Sequence, residues 1–228
     1  MTAQLLVPRF VAPHFIEIDG STDLPGPVRR ACAFTTAAPG WPRDKNGATH
    51  RHECRLSSAS GRWQDGGAVH WHTETQDLAT GHRSTATGEA TALTQAIAAA
   101  LAAAHAPPGG AEAATDRVLC LAPDFVAMQR EPGLPPVWCC AHLTALGTVP
   151  LDRPWTHLQT AFIRAWPGGR GQAFRGEMET LPFSALAMAG NSQADRVRDV
   201  VYWAADSLPE AVERFRALVF APRGAMHR

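Results

Sequence analysis

Residues 14–19 (HFIEID) alternate apolar and polar side chains and run into Asp-Gly-Ser, a pattern that predicts a strand ending in a turn. Residues 29–37 (RRACAFTTA) predict a second strand, and 68–78 (AVHWHTETQDL) a third. Between them, 39–67 is polar and broken by Gly and Pro, with a short strand at 52–58; it reads as an enlarged hairpin. Residues 88–104 predict the clearest helix, because Leu93, Ile97 and Leu101 recur every four residues among alanines. A flexible connector, APPGGAEAAT (106–115), leads to VLCLA (118–122), suited to a buried central strand. Pro123-Asp124 then opens a predicted helix. Further helices are expected at 155–166 (WTHLQTAFIRAW), 192–205 and 208–220, with a polar strand near 172–180. No internal repeat is visible. Three strands, a helix, a strand, helices, a strand and a helix predict a mixed sheet with helices packed on it, which is α/β.

Composition narrows the setting. The 228 residues are 45% hydrophobic and 18% charged, as expected of a soluble globular chain. No apolar run approaches the roughly 20 residues that span a bilayer. The first ten residues, MTAQLLVPRF, are too short and too soon broken by Pro8 to predict a signal peptide. Five cysteines, none in a CxxC pair, predict reduced thiols and a cytoplasmic location. The charge is balanced, 21 basic against 21 acidic residues, and Lys45 is the single lysine. That balance weighs mildly against a nucleic-acid partner, although a local arginine face matters more than the sum.

Four acids stand where predicted elements begin or end. Asp19 follows the first strand, Glu89 opens the first long helix, Asp124 ends the central apolar strand, and Asp195 opens a late helix. Singly, Asp19 would shape a turn, Asp124 would cap a helix and Asp195 would complement a helix dipole. Glu89 is different. It lies four residues before Leu93 and so continues the core-facing stripe, where a carboxylate is costly unless paired or bound to metal.

Taken together, FIEIDGS (15–21), LPGP (24–27), Glu89 before 90–93, the strand 118–122 followed by Asp124, and GNSQAD (190–195) resemble the type 1 ribonuclease H family. That family lies in the RNase H-like superfamily and includes the RNase H domains of reverse transcriptases. The resemblance implies an RNase H-like mixed five-stranded sheet with helices on both faces, spanning 14–206. An enlarged β-hairpin insertion falls at about 39–67 and a second insertion at 106–115, with a 1–13 N-terminal extension and a 207–228 C-terminal helix and tail. It also implies that Asp19, Glu89, Asp124 and Asp195 are catalytic and hold two Mg²⁺, with Mn²⁺ as a substitute. Gly20, Ser21, Thr85 and Asn191 would contact nucleic acid. The implied activity is endonucleolytic hydrolysis of the RNA strand of RNA–DNA hybrids. One metal would activate water and the other, about 4 Å away, would stabilise the leaving 3′ oxygen. Two alternatives stand beside it: a non-catalytic or weakly active hybrid- or partner-binding module of that fold, and an RNase H-fold nuclease acting on DNA.

The chain also departs from the family. Thr85 and Ala86 replace a pair of asparagines, the loop 181–190 has no histidine, and the expected lysine-rich handle near 131–153 holds only Arg153. Phosphate contacts would fall to scattered arginines such as Arg29, Arg30, Arg83 and Arg196. Elsewhere, His50, His52 and Cys54 alternate, as do His70 and His72. Two neighbouring strands carrying them would make a zinc site, and incidental histidines on an exposed hairpin are the plainer expectation. Cys139 and Cys140 are expected in a core. Trp63, Trp71, Trp138, Trp155 and Trp166 offer stacking surfaces, with core placement expected for Trp155 and Trp166.

Overall fold

The computed structural model describes residues 9–18, 28–58, 63, 67–105, 119–128, 134–146, 154–167, 173–183 and 199–220. The chain divides into two compact units, Phe15–Leu134 and Met1–His14 with Pro135–Arg228. This differs from the expected single domain with two insertions and a C-terminal tail.

In the Phe15–Leu134 unit, β2 (Ile16–Ile18), β3 (Val28–Ala37), β4 (His50–Ser58), β5 (Val69–Asp77) and β6 (Arg83–Ala90) follow one another antiparallel in the order β2-β3-β4-β5-β6. The helix α1 (Leu93–His105) follows. Next comes β7 (Leu119–Asp124), which runs antiparallel to β3, and then the short β8 (Val126–Met128). In the other unit, β9 (Val137–Ala145), β10 (His157–Ala165), β11 (Phe174–Pro182) and β12 (Asp199–Ala205) form an antiparallel meander followed by α2 (Leu208–Phe220). Its edge strand is β1 (Arg9–Pro13), antiparallel to β9.

Each unit is therefore an antiparallel sheet with one helix, an α+β arrangement. The expected RNase H-like α/β sheet with helices on both faces is not what forms. Three stretches account for most of the difference. Residues within 155–166 form β10, the end of 192–205 forms β12, and 88–90, expected as the start of the helix, belong to β6 (Arg83–Ala90). The segment 39–67 is no hairpin insertion either. It supplies β4, which lies between β3 and β5.

Alanine sets how close α1 lies to its sheet. Ala96, Ala100 and Ala104, spaced by four, are buried, while Leu93, Ile97 and Leu101 flank them partly exposed. The small face lets Thr73 Oγ1 donate to the Ala100 carbonyl at 2.9 Å. Phe15, Cys32, Phe34, Cys54, Leu56 and Val69 complete that core, in which each large apolar side chain contributes about 1.5–3 kcal/mol on burial. At α2, Ser207 Oγ accepts from the Glu210 N–H at 3.3 Å, and Glu210 reaches back to the Asp206 N–H at 2.9 Å, a variant of the capping box. Among the described residues no helix is long and apolar enough to cross a membrane.

The two units repeat one plan, although no repeat is visible in the sequence. Thr49 N donates to the Thr36 carbonyl at 2.8 Å, as Thr156 N does to the Thr144 carbonyl at 2.9 Å. Thr49 Oγ1 accepts from Ala38 N at 2.8 Å, as Thr156 Oγ1 accepts from Leu146 N at 2.9 Å. Each hydroxyl also lies 2.8 Å from Nδ1 of the next residue, His50 or His157. Thus β3, β4, β5, β6 and α1 correspond to β9, β10, β11, β12 and α2. The leading strands are exchanged. The strand that precedes the first set, β1, completes the sheet of the second; β7, preceding the second set, completes the sheet of the first.

The repeat also aligns two buried polar columns. His52 lies between Thr36 Oγ1 (2.7 Å) and Thr75 Oγ1 (2.9 Å), so one ring nitrogen donates while the other accepts. In the second unit Gln159 occupies the position of His52, bonded to His142 Nε2 at 2.8 Å and donating to Thr180 Oγ1 at 3.2 Å. Burial drives the His52 pKa down to about 3, helped by nearby His50, His105 and Arg51, and that of His142 down to about 4 against its bond to Gln159. Burial also lowers the pKa of His50, which Asp77 opposes, and that of His105.

A pH dependence of stability follows. Above pH 6.5 these imidazoles are neutral in both folded and unfolded chains, and their contribution is complete. As the pH falls below 6.5, the unfolded chain takes up protons that the folded chain refuses. Stability should therefore drop by about 3 kcal/mol for each of His52 and His142 by pH 4. Urea midpoints at pH 7.5, 5.5 and 4.5 check this, and H52Q, which copies Gln159, should flatten the curve. An identical slope in H52Q would remove His52 from the account.

Candidate functional site

Both sheets carry their helix on one face and charged side chains on the other. Cross-strand partners share a face, so the register assigns each residue to one. On the helix-free face of the Phe15–Leu134 unit lie Arg51, Glu53 and Arg55 of β4, His70, His72 and Glu74 of β5, and Arg83, Thr85 and Glu89 of β6. Asp124 of β7 joins the same row through Ala33, which faces Glu53.

Here the expected site residues separate. Glu89 lies in β6, not on a helix; it is exposed, and its carboxylate is 2.9 Å from His70 Nδ1. Asp124 closes β7 and opens no helix. Its Oδ2 accepts from Arg51 Nε at 2.6 Å and its Oδ1 from Phe125 N at 2.8 Å. The row Asp124–Ala33–Glu53–Glu74–Thr85 crosses five strands, and Glu89 is four residues beyond Thr85. Strand spacing and rise put Asp124 and Glu89 on the order of 20 Å apart, too far to share a two-metal centre. Asp19, Gly20, Ser21, Asn191 and Asp195 lie outside the described residues. Thr85 is exposed on the same face.

Among the described residues no group of three or more His, Cys, Asp and Glu side chains is placed to hold a metal ion. Glu89 and Asp124 do not fit a Mg²⁺ pair, since they lie far apart and one already meets His70 and the other Arg51. The zinc arrangement also separates. His50, His52 and Cys54 pair across β5 with Asp77, Thr75 and Thr73 on the helix face, while His70 and His72 pair with Ser57 and Arg55 on the opposite face. His50, His52 and Cys54 are buried rather than exposed.

Asp124 is better described as the anchor of Arg51, whose NH2 also donates to the Phe125 carbonyl at 3.0 Å. Asp124→Asn should cost about 1–2 kcal/mol, since it removes the nearer charge partner of a half-buried guanidinium and leaves it only Glu53, 3.5 Å away. Chemical denaturation with and without Mg²⁺ checks this. A raised midpoint, the mark of relieved carboxylate repulsion, would return Asp124 to a metal cluster.

On the helix-free face of the other sheet two arginines, Arg164 and Arg175, stand directly opposite each other beside Glu177, with Glu179 two residues farther along β11. Phe162, Glu177 and Tyr202 form one cross-strand row, and Arg164, Arg175 and Ala204 the next. With Ala165 and Trp166 they line a depression of about 260 Å³. The Arg175 guanidinium lies over the Trp166 ring at 4.6 Å and the Tyr202 ring at 5.0 Å, while Arg164 lies over Phe162 at 5.8 Å. Glu177 is 3.6 Å from Arg164. Among the described residues no carboxylate pairs with Arg175. Trp166 (39%) and Tyr202 (58%) are exposed, so Trp166 is not the core residue expected from sequence.

The repeat supplies an internal comparison. Aligned through His50 and His157, the positions of Phe162, Arg164, Arg175, Glu177 and Tyr202 are those of Arg55, Ser57, His70, His72 and Thr87. There Arg55 Nε donates to Glu53 at 2.7 Å, and His70 Nδ1 lies 2.9 Å from the Glu89 carboxylate. Arg30 and Arg83, expected on phosphate, pair with Glu17 and Glu74. Sequence reasoning passed over the Arg164–Arg175 site because 155–166 reads as a helix. The alternation of buried Gln159, Ala161 and Ile163 with outward Thr160, Phe162 and Arg164 was the available signal.

No protein-family profile matches the chain, and no curated protein or solved structure matches it either.

Proposed function

We propose that this chain is a non-catalytic binding protein that holds an anionic, partly planar ligand on the helix-free face of the β9–β12 sheet. The observation that carries this reading is the Arg164–Arg175 pair. Two like charges directly opposite on neighbouring strands are unfavourable unless something neutralises them, and Glu177 offsets only one. Arg175 is held by ring faces, which leaves its N–H edges for a carboxylate or phosphate fork. The exposed rings of Trp166 and Tyr202 add apolar surface for the ligand's body. Hybrid cleavage with Mg²⁺ finds no support in the described acids, and a gel assay on labelled hybrid should show none.

The test is titration of acetate, benzoate and phenyl phosphate into labelled protein, following the Trp166 indole resonance by NMR. The aromatic anions should shift it more than acetate does, and Arg175→Ala should weaken their binding about tenfold. If no anion moves the resonance, or if Arg175→Ala binds as the wild type does, the reading fails.

A further inference from the structure

We infer that the natural occupant of the Arg164–Arg175 depression is one nucleotide unit of a single-stranded nucleic acid, its phosphodiester on the arginines and its base against Tyr202 or Trp166. This rests on the anion-binding reading above and narrows it. Charge is the first argument. Among the residues lining the depression, Arg164 and Arg175 against Glu177 leave one net positive charge, which a phosphodiester monoanion neutralises. Size is the second. At about 260 Å³ the depression is smaller than the roughly 300–1,000 Å³ of sites that enclose a whole small molecule. It fits a single unit of a longer ligand that continues over the sheet. Surface chemistry is the third. Exposed aromatic rings on an antiparallel sheet, beside arginines, stack bases of any sequence because every base presents a π-face. Duplex nucleic acid fits less well, since its bases are stacked inside and unavailable to Tyr202.

One or two phosphates make a specific salt signature. For single strands the affinity exponent is about −0.7 per phosphate, so the slope of log K against log salt should lie between about −0.7 and −1.4. Fluorescence anisotropy of labelled dT8 and rU8 with the full chain, from 25 to 200 mM salt, measures it. Arg175→Ala should weaken binding five- to tenfold at low salt and flatten the slope by about 0.7. Tyr202→Ala should weaken binding roughly tenfold with the slope unchanged. Arg214→Ala, an exposed α2 arginine paired with Glu210, should change neither. The two oligonucleotides distinguish DNA from RNA, and circular dichroism confirms that each variant is folded. If benzoate and phenyl phosphate bind but neither oligonucleotide does, the inference falls and the broader reading stands. If nothing binds, both fall. Oligonucleotide binding that ignores Arg175→Ala and Tyr202→Ala, or a slope steeper than −3, would place the strand elsewhere and also overturn the inference.

Discussion

Gly176→Ala is expected to destabilise the β9–β12 unit by about 3 kcal/mol or more, beyond the usual 1–3 kcal/mol of an overpacked core. A methyl at Gly176 would stand 2.0 Å from Trp203 Cε2 and 2.2 Å from Cζ2. The indole has little freedom to retreat. Its Nε1 donates to the Ala211 carbonyl of α2 at 3.0 Å, its ring lies 6.1 Å from that of Phe215, and only 9% of the residue is exposed. The repeat offers a sharper form of the experiment. In the other sheet the same pair is transposed, with Trp71 on β5 lying over Gly88 on β6. The double variant G176W/W203G copies that arrangement and should be at least ~2 kcal/mol more stable than G176W alone, a coupling readable by a double-mutant cycle. Additive effects of the two substitutions would show that the indole and the glycine do not form one packing unit.

Division of the chain between α1 and β7 should leave neither half folded as a monomer. Residues 1–112 hold β3–β6 and α1 without β7, and residues 113–228 hold β9–β12 and α2 without β1. Each half carries the edge strand that the other sheet uses, Arg9–Pro13 for β9 and Leu119–Asp124 for β3. Each half would thus keep an open edge on a strand whose backbone groups need partners. Mixed in equal amounts, the halves should form a 1:1 complex with the circular dichroism and cooperative unfolding of the intact chain. Because β1 and β7 are equivalent, a half on its own is expected to self-associate through the same exchange. Sedimentation and thermal melts decide the matter. A monomeric half with a sharp transition would show that the exchanged strand is dispensable.

The alternating segments were legible from sequence. Strands lie at the stretches 14–19, 29–37, 52–58 and 68–78, as β2 (Ile16–Ile18), β3, β4 and β5 (Val69–Asp77), and 208–220 is a helix. The helix at 88–104 was legible in kind but begins later, at Leu93. Gly88 and Glu89 lack any apolar neighbour that would mark RSTATGEA as strand, and its partner Trp71 supplies the packing. Residues 157–165 defeated periodicity because both faces carry apolar groups, Ala161 and Ile163 inward and Leu158 and Phe162 outward, so that a helix and a strand fit the letters equally well. The repeat stayed hidden because it is kept in hydrogen-bond roles and not in residue identity: Gln159 stands in for His52, and the Trp–Gly pair changes strands. The acidic spacing that resembled a nuclease was real as a pattern, but once 83–90 is a strand Glu89 and Asp124 belong to opposite edges of one sheet.

The exchange of β1 and β7 has a consequence for synthesis on the ribosome. Arg9–Pro13 is made well before its partners, His142 to Ala145, which emerge roughly 130 residues later. At 5–20 residues per second that delay is on the order of ten seconds. For most of that interval, from the synthesis of Val28–Ala37 until Leu119–Asp124 is made, the edge of β3 that β7 will occupy is also vacant, and β1, its structural equivalent, is the nearest strand able to fill it. The nascent chain therefore passes a stage at which its own first strand competes for the wrong sheet, and release of that pairing, not helix formation or collapse, should set the pace at which the finished protein appears.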